Sequence, residues 1–298
     1  MRQLNNDDQV TAGTGVAETL DPAVTEAEPG YVLGSSDAER QRLVRQAQAY
    51  AAEASWLLDQ VGAKPGWRAV DVGCGPIGIM DLLSGRLGPT GETVGVDNEP
   101  RMIAMAREVA AELSLTNHAL VQADATDTKL ERGSFDFAHA RHVLVNVPAP
   151  ERVVAELVAL VRPGGVVALE ELDWVSWICQ PPHPAWDRLR DALRDFRARR
   201  GLDVYMGRRL PGLLRGAGLD DVNLRAVCPT FIDGAGDDRT LLVTFAKLHG
   251  AALVADGLVA ADELATLVAE LEAHLADPAT ITFYCLFCQA WAVKPASV

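Results

Sequence analysis

Short apolar runs and stretches with helical spacing alternate along residues 65–173. The apolar runs predict strands in RAVDVG, ETVGVD, HALVQAD, SFDFAHA and GGVVALEEL. The helical stretches follow most of these strands, in IGIMDLLSGRLG, EPRMIAMAREVAAELSL and PERVVAELVALV. Alternation of strands with helices favours an α/β fold in which a parallel sheet carries helices on both faces.

This order changes after the fifth predicted strand. An aromatic and proline-rich connection, DWVSWICQPPHP, leads to one helix in AWDRLRDALRDFRARRG and a second in RRLPGLLRGAG. A sixth strand is predicted in DVNLRAVCPTFI, two helices over roughly 238–255 and 260–276, and a seventh strand in ITFYCLFCQAWAV. Ligands of open parallel sheets bind beyond the carboxyl ends of the strands, so we expect helical insertions that leave this edge to form a lid.

The N-terminal part carries a helix signal of its own. The segment SDAE begins with Ser36 and places Glu39 three residues later, which is a capping-box pattern, and apolar residues then recur at helical spacing up to Val61. The polar residues before it predict a flexible arm. The expected organisation is an arm over 1–29, a lid helix over 30–64, a ligand-binding core over 65–173, a helical insertion over 174–204, and the rest of the core over 205–298 with a further helical insertion at about 236–277.

Composition and charge narrow the class of protein. The chain has 298 residues and a formal net charge of −14, which disfavours a nucleic-acid partner because phosphate contacts need clustered Lys and Arg. No apolar run approaches the roughly 20 residues of a membrane span, and the first residues lack the apolar centre of a signal peptide.

The five cysteines are sparse, so we expect a cytoplasmic protein. Cys285 and Cys288 lie in one predicted strand and are expected to be buried thiols, not metal ligands.

The first predicted strand runs into VDVGCGPIG at residues 70–78, whose glycines match G-x-G-x-x-G. Asp97 follows about 20 residues later, which is the spacing of a dinucleotide-binding fingerprint.

Two further acids distinguish the ligand. Asp71 lies beside the glycines, where it would repel a pyrophosphate and attract an ammonium group. Asp124 ends the third strand, where it can accept from an adenine amine while the amide of Ala125 donates. A ligand with an ammonium, a ribose for Asp97 and an adenine, but no phosphate, is S-adenosylmethionine.

Four motifs together resemble the class I S-adenosylmethionine-dependent methyltransferases, and among them the ubiquinone/menaquinone-methyltransferase-like group of bacterial small-molecule enzymes. They are VDVGCGPIG, VGVDNEPRMIAMARE, VQADATD and FDFAHARHVLVNVPAPERVVAELVALVRPGGVVALEELD. The resemblance covers most of residues 31–230 and the last strand, and YVLGSSDAERQRLVRQAQ is similar to the N-terminal helix of that group. It implies a seven-stranded, Rossmann-like, doubly wound sheet that is mostly parallel, with an antiparallel last strand and helical lid insertions.

The resemblance also implies the residues that bind the cofactor. Asp71 would orient the ammonium through water, the carbonyl of Ala140 would accept from it, and Arg141 would lie beside the carboxylate. Relatives often have an acid where this chain has VLVNVP, so no role is transferred to Val145 or Asn146. The implied cofactor contacts are Tyr31, Gln46, Asp71, Gly73, Gly75, Asp97, Asn98, Met102, Asp124, Ala125, Ala140 and Arg141.

Methyl transfer requires no protein nucleophile, so the candidate catalytic residues are bases, namely His142, Glu171 and Asp173. The aromatic side chains of the expected lid predict an apolar or aromatic small-molecule acceptor of secondary metabolism. The candidate acceptor contacts are Trp174, Trp177, Tyr205 and Phe231.

Several alternatives stay open from the sequence. The tryptophans could pack in a core, and Asp71 could be a core acid that a neighbour neutralises. The same fold and cofactor could serve a reaction without methylation, such as a cyclisation or a decarboxylation. A nicotinamide-dependent oxidoreductase and a non-catalytic binding protein are further alternatives, and the arm could exchange between the subunits of a homodimer.

Overall fold

The computed structural model describes residues 43–44, 46–228, 230–231 and 237–296. Its strands are β1 (Arg68–Val72), β2 (Glu92–Asp97), β3 (His118–Gln122), β4 (Phe135–Arg141), β5 (Val161–Asp173), β6 (Ile178–Gln180), β7 (Asn223–Val227), β8 (Thr230–Phe231), β9 (Ile281–Phe283) and β10 (Leu286–Val293). Its helices are α1 (Ala51–Gln60), α2 (Met80–Leu87), α3 (Pro100–Glu112), α4 (Pro150–Leu160), α5 (Pro184–Arg199), α6 (Met206–Gly216), α7 (Leu241–Leu248), α8 (Gly250–Ala255) and α9 (Ala261–Ala276).

Seven of the strands form the main sheet in the order β3-β2-β1-β4-β5-β10-β7. The pairs from β3 to β5 are parallel, whereas β10 runs antiparallel to both β5 and β7. This confirms the predicted Rossmann-like sheet, including its antiparallel last strand. Because the parallel strands share one direction, the carboxyl ends of β1, β2 and β4 meet at a single edge.

The period-two alternation of the strands divides their side chains between two cores. Val70 and Val72 of β1 pack with α4 and α6 on one face, whereas Ala69 of β1 packs with α1 and α2 on the other. In β5, Val167 and Leu169 belong to the first core, whereas Val166 and Ala168 belong to the second. The sheet is therefore covered on both faces, as the near-continuous apolar strands predict.

A helical region with its own core follows β5. It consists of α5, α7, α8 and α9 together with a small antiparallel sheet of order β6-β9-β8. The segment ITFYCLFCQAWAV was predicted as one strand, which is wrong, because β9 belongs to the small sheet and β10 to the main sheet. Tyr284 and Cys285 are buried at the change between them. The predicted sixth strand likewise divides into β7 and β8, and the predicted helix over roughly 238–255 divides at His249 into α7 and α8.

The predicted arm and the capping box at Ser36 lie outside the described residues, while residues 46–49 are helical and lead into α1. No described helix has the length and apolar character that crossing a membrane requires. All five cysteines are free thiols. Among the described residues, no group of three or more His, Cys, Asp or Glu side chains could hold a metal ion.

Candidate active site

A cavity of about 470 Å³ opens at the carboxyl ends of β1, β2 and β4. The residues on its wall that the sequence predicted as cofactor contacts are Gln46, Gly73, Gly75, Asp97, Asn98, Met102, Asp124, Ala125 and Arg141. His142 also lies on the wall. Tyr31 lies outside the described residues. The topology therefore brings residues from five separate stretches of the chain to one concave site.

The glycine-rich segment forms one side of the cavity. Gly73, Gly75 and Gly78 all have positive φ, at +73°, +52° and +54°, a region that side chains make costly. A Cβ atom on Gly75 would meet no atom within 4 Å, so this backbone is open to a ligand. A Cβ atom on Gly73 would lie 2.2 Å from Cγ2 of Val143, so this position has no room. The segment thus presents bare backbone to whatever occupies the cavity.

Asp97 holds the glycine-rich segment from β2. Its Oδ2 accepts from the Gly75 amide at 2.9 Å, and its Oδ1 accepts from the Glu99 amide at 3.0 Å. Burial raises the pKa of Asp97, although these amide hydrogen bonds act in the opposite direction. Each oxygen retains a second lone pair toward the cavity, so the carboxylate can accept from a pair of adjacent hydroxyls.

Asp124 supplies a second acid at the far side of the cavity. Its Oδ1 accepts from the Thr126 amide at 2.7 Å and from the Thr126 hydroxyl at 2.6 Å. These two hydrogen bonds lower the pKa of Asp124, with a further contribution from the charge of Arg152. The carboxylate is therefore ionised and fixed in one orientation at neutral pH.

Arg141 places a cationic donor opposite the two acids. Its Nη2 donates to the Gly78 carbonyl at 2.9 Å, and its Nη1 lies 3.9 Å from Oε2 of Glu170. The side chain is only 7% exposed, and within the described part of the chain its buried Nη1 has no hydrogen-bond partner. Arg141 is also on the cavity wall, so its guanidinium brings a positive charge to this end of the site.

Two predicted cofactor contacts are absent from the cavity wall. Asp71 is 1% exposed, and its oxygens accept from the Ile79 amide at 2.9 Å and face His139 Nδ1 at 2.8 Å. These contacts occupy Asp71 beneath the glycine-rich segment, and its predicted role toward an ammonium group, directly or through water, stays a prediction. Ala140 is also buried, paired between Val72 and Leu169 inside the sheet, and the predicted contact of its carbonyl stays a prediction.

Of the three candidate bases, the structure places only His142 on the cavity wall. Its backbone has a φ of +57°, an uncommon conformation outside glycine. Its Nδ1 lies 3.9 Å from Oε2 of Glu171, and its ring meets the edge of Tyr50 with 5.4 Å between centroids. Strained backbone of this kind is concentrated at functional sites.

The other two candidate bases do not face the cavity. Glu171 is fully buried, and its Oε1 accepts from the amides of Leu144 at 2.6 Å and Val145 at 3.3 Å. Burial raises the pKa of Glu171 to about 8. Asp173 forms a two-point ion pair with Arg208, in which Nη2 donates to Oδ1 at 2.8 Å. Neither residue lies on the cavity wall, and their role as a base toward the acceptor stays a prediction.

The aromatic residues predicted to contact the acceptor lie away from the cavity. Trp177 is 1% exposed in the core of the helical region, and Trp174 packs against it with 6.0 Å between ring centroids. Tyr205 is 41% exposed, with the guanidinium of Arg208 over its ring at 4.9 Å. Trp174, Trp177 and Tyr205 are all absent from the wall of this cavity, so their contact with an acceptor stays a prediction. Phe231 lies in β8, and its side chain is outside the described part of the structure.

Replacing Trp177 with phenylalanine is expected to lower the free energy of unfolding by about 1–2 kcal/mol, because the smaller ring leaves a void in this core. The neighbours that would line the void include Trp186 and Tyr284, at 5.5 and 5.1 Å between centroids. Chemical denaturation measures the change. Tyr205→Phe is the surface control and should shift stability by less than about 0.5 kcal/mol. A loss of affinity for the cavity ligand in Trp177→Phe, with stability intact, would contradict the core assignment.

Sequence reasoning missed a set of polar residues around this site. His139 and Glu170 are fully buried. The only sequence feature that indicates them is a polar residue inside an otherwise apolar strand. Asn146 and Arg152 lie on the cavity wall but carry no motif of their own. Asn146 donates to the His142 carbonyl at 2.7 Å and accepts from Arg197 of α5 at 3.1 Å. It therefore joins the cavity wall to the helical region.

Residues 70–169 match the sequence family described as Methyltransferase domain, Methyltransf_11. An uncharacterized 37.1 kDa protein in transposon TN4556 of Streptomyces fradiae is 31% identical over 188 residues, which cover 63% of this chain and 53% of that protein. Demethylmenaquinone methyltransferase of Staphylococcus aureus is 34% identical over 115 residues, which cover 39% of this chain and 47% of that protein. The chain spans about half the length of these curated relatives.

Solved structures share the fold at low sequence identity. The YcgJ protein of Bacillus subtilis has a TM-score of 0.53 at 15% identity, with 82% of this chain and 99% of that chain covered. Phosphoethanolamine N-methyltransferase 2 of Haemonchus contortus has a TM-score of 0.51 at 17% identity, with 84% of this chain and 52% of that chain covered. The family match spans the strands and loops that build the cavity. Residues 70–169 of this chain therefore form a methyltransferase domain of the class I S-adenosylmethionine-dependent type.

Proposed function

We propose that this chain binds S-adenosylmethionine in the cavity and transfers its methyl group to a small molecule. The observation that carries the proposal is the set of charged residues on the cavity wall, where Arg141 supplies a cation and Asp97 and Asp124 supply two carboxylates. The cofactor has a carboxylate for this guanidinium. A pyrophosphate would need more donors than this one and would approach two carboxylates.

The remaining wall fits the other parts of the cofactor. Asp97 has free lone pairs for the ribose hydroxyls, and the bare backbone at Gly75 gives the methionine part room. Asp124 and Ala125 lie where an adenine edge would end, beside the buried Met102. When bound, the cofactor supplies an electrophilic methyl group, so the protein has to align the acceptor and exclude water.

His142 is the residue that we assign to the acceptor. It can accept a proton from a hydroxyl acceptor, and the carboxyl of Glu171 behind its Nδ1 can steady the resulting imidazolium. The strained His142 backbone is held from two sides, since its amide donates to the Glu170 carbonyl at 3.0 Å and its carbonyl accepts from Asn146 at 2.7 Å. Such support keeps the imidazole at the cavity wall.

The acceptor is proposed as a small molecule because the site is a concave cavity of about 470 Å³ and the net charge of −14 disfavours polyanions. A relative is named for demethylmenaquinone, so small phenols and quinols are the first acceptors to test. Secondary metabolism and a homodimer stay proposals. A cytoplasmic location is a proposal that the five free thiols support.

Incubation with methyl-labelled S-adenosylmethionine and a panel of small phenols and quinols tests the proposal. The expected result is one acceptor whose mass rises by the labelled methyl group. An acceptor converted without label would favour the alternative, a cyclisation or decarboxylation on the same fold. Protein heated before incubation is the control for spontaneous methylation.

A further inference from the structure

A row of buried polar side chains crosses the main sheet beneath the cavity. Strand register places Asp71 of β1 beside His139 of β4, and Glu170 of β5 beside Gln289 of β10. His139 Nδ1 lies 2.8 Å from Asp71 Oδ1, and His139 Nε2 lies 3.1 Å from Glu170 Oε2. Gln289 donates to the other oxygen of Glu170 at 2.5 Å. All four residues are at most 1% exposed, so water does not compete for these contacts.

The partners of His139 define its protonation state. An ionised carboxylate only accepts hydrogen bonds, so an imidazole between two of them must donate from both nitrogens. Burial alone lowers the pKa of His139, but the hydrogen bonds to Asp71 and Glu170 raise it to about 9. Burial acts to raise the pKa of Glu170, but the bond to His139 and its charge lower it overall. The group is therefore an imidazolium at neutral pH.

The two carboxylates beside His139 connect to the two ends of one peptide group, Asp71 directly and Glu170 through Arg141. Asp71 Oδ2 accepts from the Ile79 amide at 2.9 Å, while Arg141, 3.9 Å from Glu170, donates to the Gly78 carbonyl at 2.9 Å. That carbonyl and that amide belong to the same peptide bond. The contacts therefore close into a ring that runs from the peptide through Asp71, His139, Glu170 and Arg141 back to the peptide.

We propose that His139 is a positioning residue for the cofactor, since its imidazolium joins Asp71 to Glu170 and so fixes the Gly78–Ile79 peptide and the Arg141 guanidinium at the cavity wall. The inference rests on the proposed function, because it assigns the carboxylate of the cofactor to Arg141. His139 touches no part of the cavity itself. Its effect on a ligand is transmitted through the two carboxylates that it pairs.

The charged groups that face His139 or its partners come from several strands of the main sheet and from one helix. Asp71 faces it from β1 and Glu170 from β5, while Arg141 of its own strand reaches Glu170. Gln289 links Glu170 to Arg225 of β7 and to the carbonyl of Glu53 in α1, and these last two form an ion pair. Below about pH 9 the His139 imidazole carries a positive charge, and as pH rises through the pKa of His139 this charge is lost.

The test is calorimetric titration of His139→Gln with S-adenosylhomocysteine near pH 7 and near pH 10. We expect Kd to rise about 10-fold over the unmodified chain at pH 7, because removing the cation leaves two buried carboxylates facing each other. Near pH 10 the ratio of the two Kd values should approach 1, because the unmodified chain has lost the same charge. Titration of the ligand amine affects both proteins equally and cancels in this ratio.

Glu156→Gln is the matched control, since Glu156 is a buried acid that bonds Thr128 and Arg132 away from the cavity. Its Kd should equal that of the unmodified chain. If His139→Gln does not fold, Asp71→Asn/His139→Gln removes one carboxylate with the cation, and its Kd should change less between the two pH values than that of the unmodified chain.

Equal Kd values for folded His139→Gln and the unmodified chain at pH 7, or a ratio that does not change with pH, would overturn the positioning role alone. An equal pH response in the double variant would overturn it too. If the unmodified chain binds no S-adenosylhomocysteine, the proposed function fails first and this inference fails with it.

Discussion

Replacing Asp97 with alanine is expected to weaken the binding of S-adenosylhomocysteine about 100-fold, because two charge-assisted hydrogen bonds of about 1.5–3 kcal/mol each are at stake. One is the proposed bond to the ribose, and the other is the bond from the Gly75 amide that shapes the cavity wall. The carboxylate also accepts from the Glu99 amide, so its loss frees the start of α3. Isothermal titration calorimetry measures the affinity directly.

Two variants separate the role of the Asp97 carboxylate from a general effect of charge. Asp97→Asn keeps one acceptor oxygen and should weaken binding less, by about 10-fold. Asp59→Ala removes an exposed acid that pairs with Arg86 at the end of α1, and it should leave affinity unchanged. An affinity of Asp97→Ala within about twofold of the unmodified chain would exclude a ribose contact at this residue.

Replacing Gly78 with alanine is expected to lower the free energy of unfolding by about 3–5 kcal/mol. The φ of +54° alone costs a side chain about 1–2 kcal/mol. The added Cβ would lie 2.0 Å from Oδ2 of Asp71, a carboxylate that is itself held by His139 and by the Ile79 amide. Moving that carboxylate breaks buried hydrogen bonds, so thermal and chemical denaturation should both report the loss.

Gly75→Ala is the matched control for Gly78→Ala, since its φ of +52° is nearly the same but its Cβ would meet open space. It should cost only the backbone strain of about 1–2 kcal/mol. Because that space is where the cofactor is proposed to lie, Gly75→Ala should instead lose affinity for S-adenosylhomocysteine by about 10-fold or more. Equal stability losses in the two variants would show that the Asp71 contact contributes nothing.

The fold could be predicted from the sequence because its signals are local. Each strand of the core is a short apolar run bounded by a polar residue, and the order of such runs with helices dictates a parallel sheet. The break between β9 and β10 at Tyr284 and Cys285 has no such signal, because an apolar segment shows the same pattern whether it belongs to one sheet or to two. Only the pairing of β9 with β6 and β8 distinguishes them.

The site was predictable where chemistry follows from position at a strand end. Asp97 ends β2 and Asp124 follows β3, so the topology alone brings them to the cavity. Asp71 lies one residue before the end of β1 and points beneath the glycine-rich segment, because His139 on the adjacent strand offers a buried partner. That pairing depends on register between β1 and β4, which the sequence does not display.

The central claim is that the cavity is built for S-adenosylmethionine. A calorimetric titration of the unmodified chain with S-adenosylhomocysteine, run beside one with NADH, tests it most directly. We expect saturable binding of S-adenosylhomocysteine at one site per chain and no measurable heat from NADH. Tight binding of NADH without binding of S-adenosylhomocysteine would contradict it.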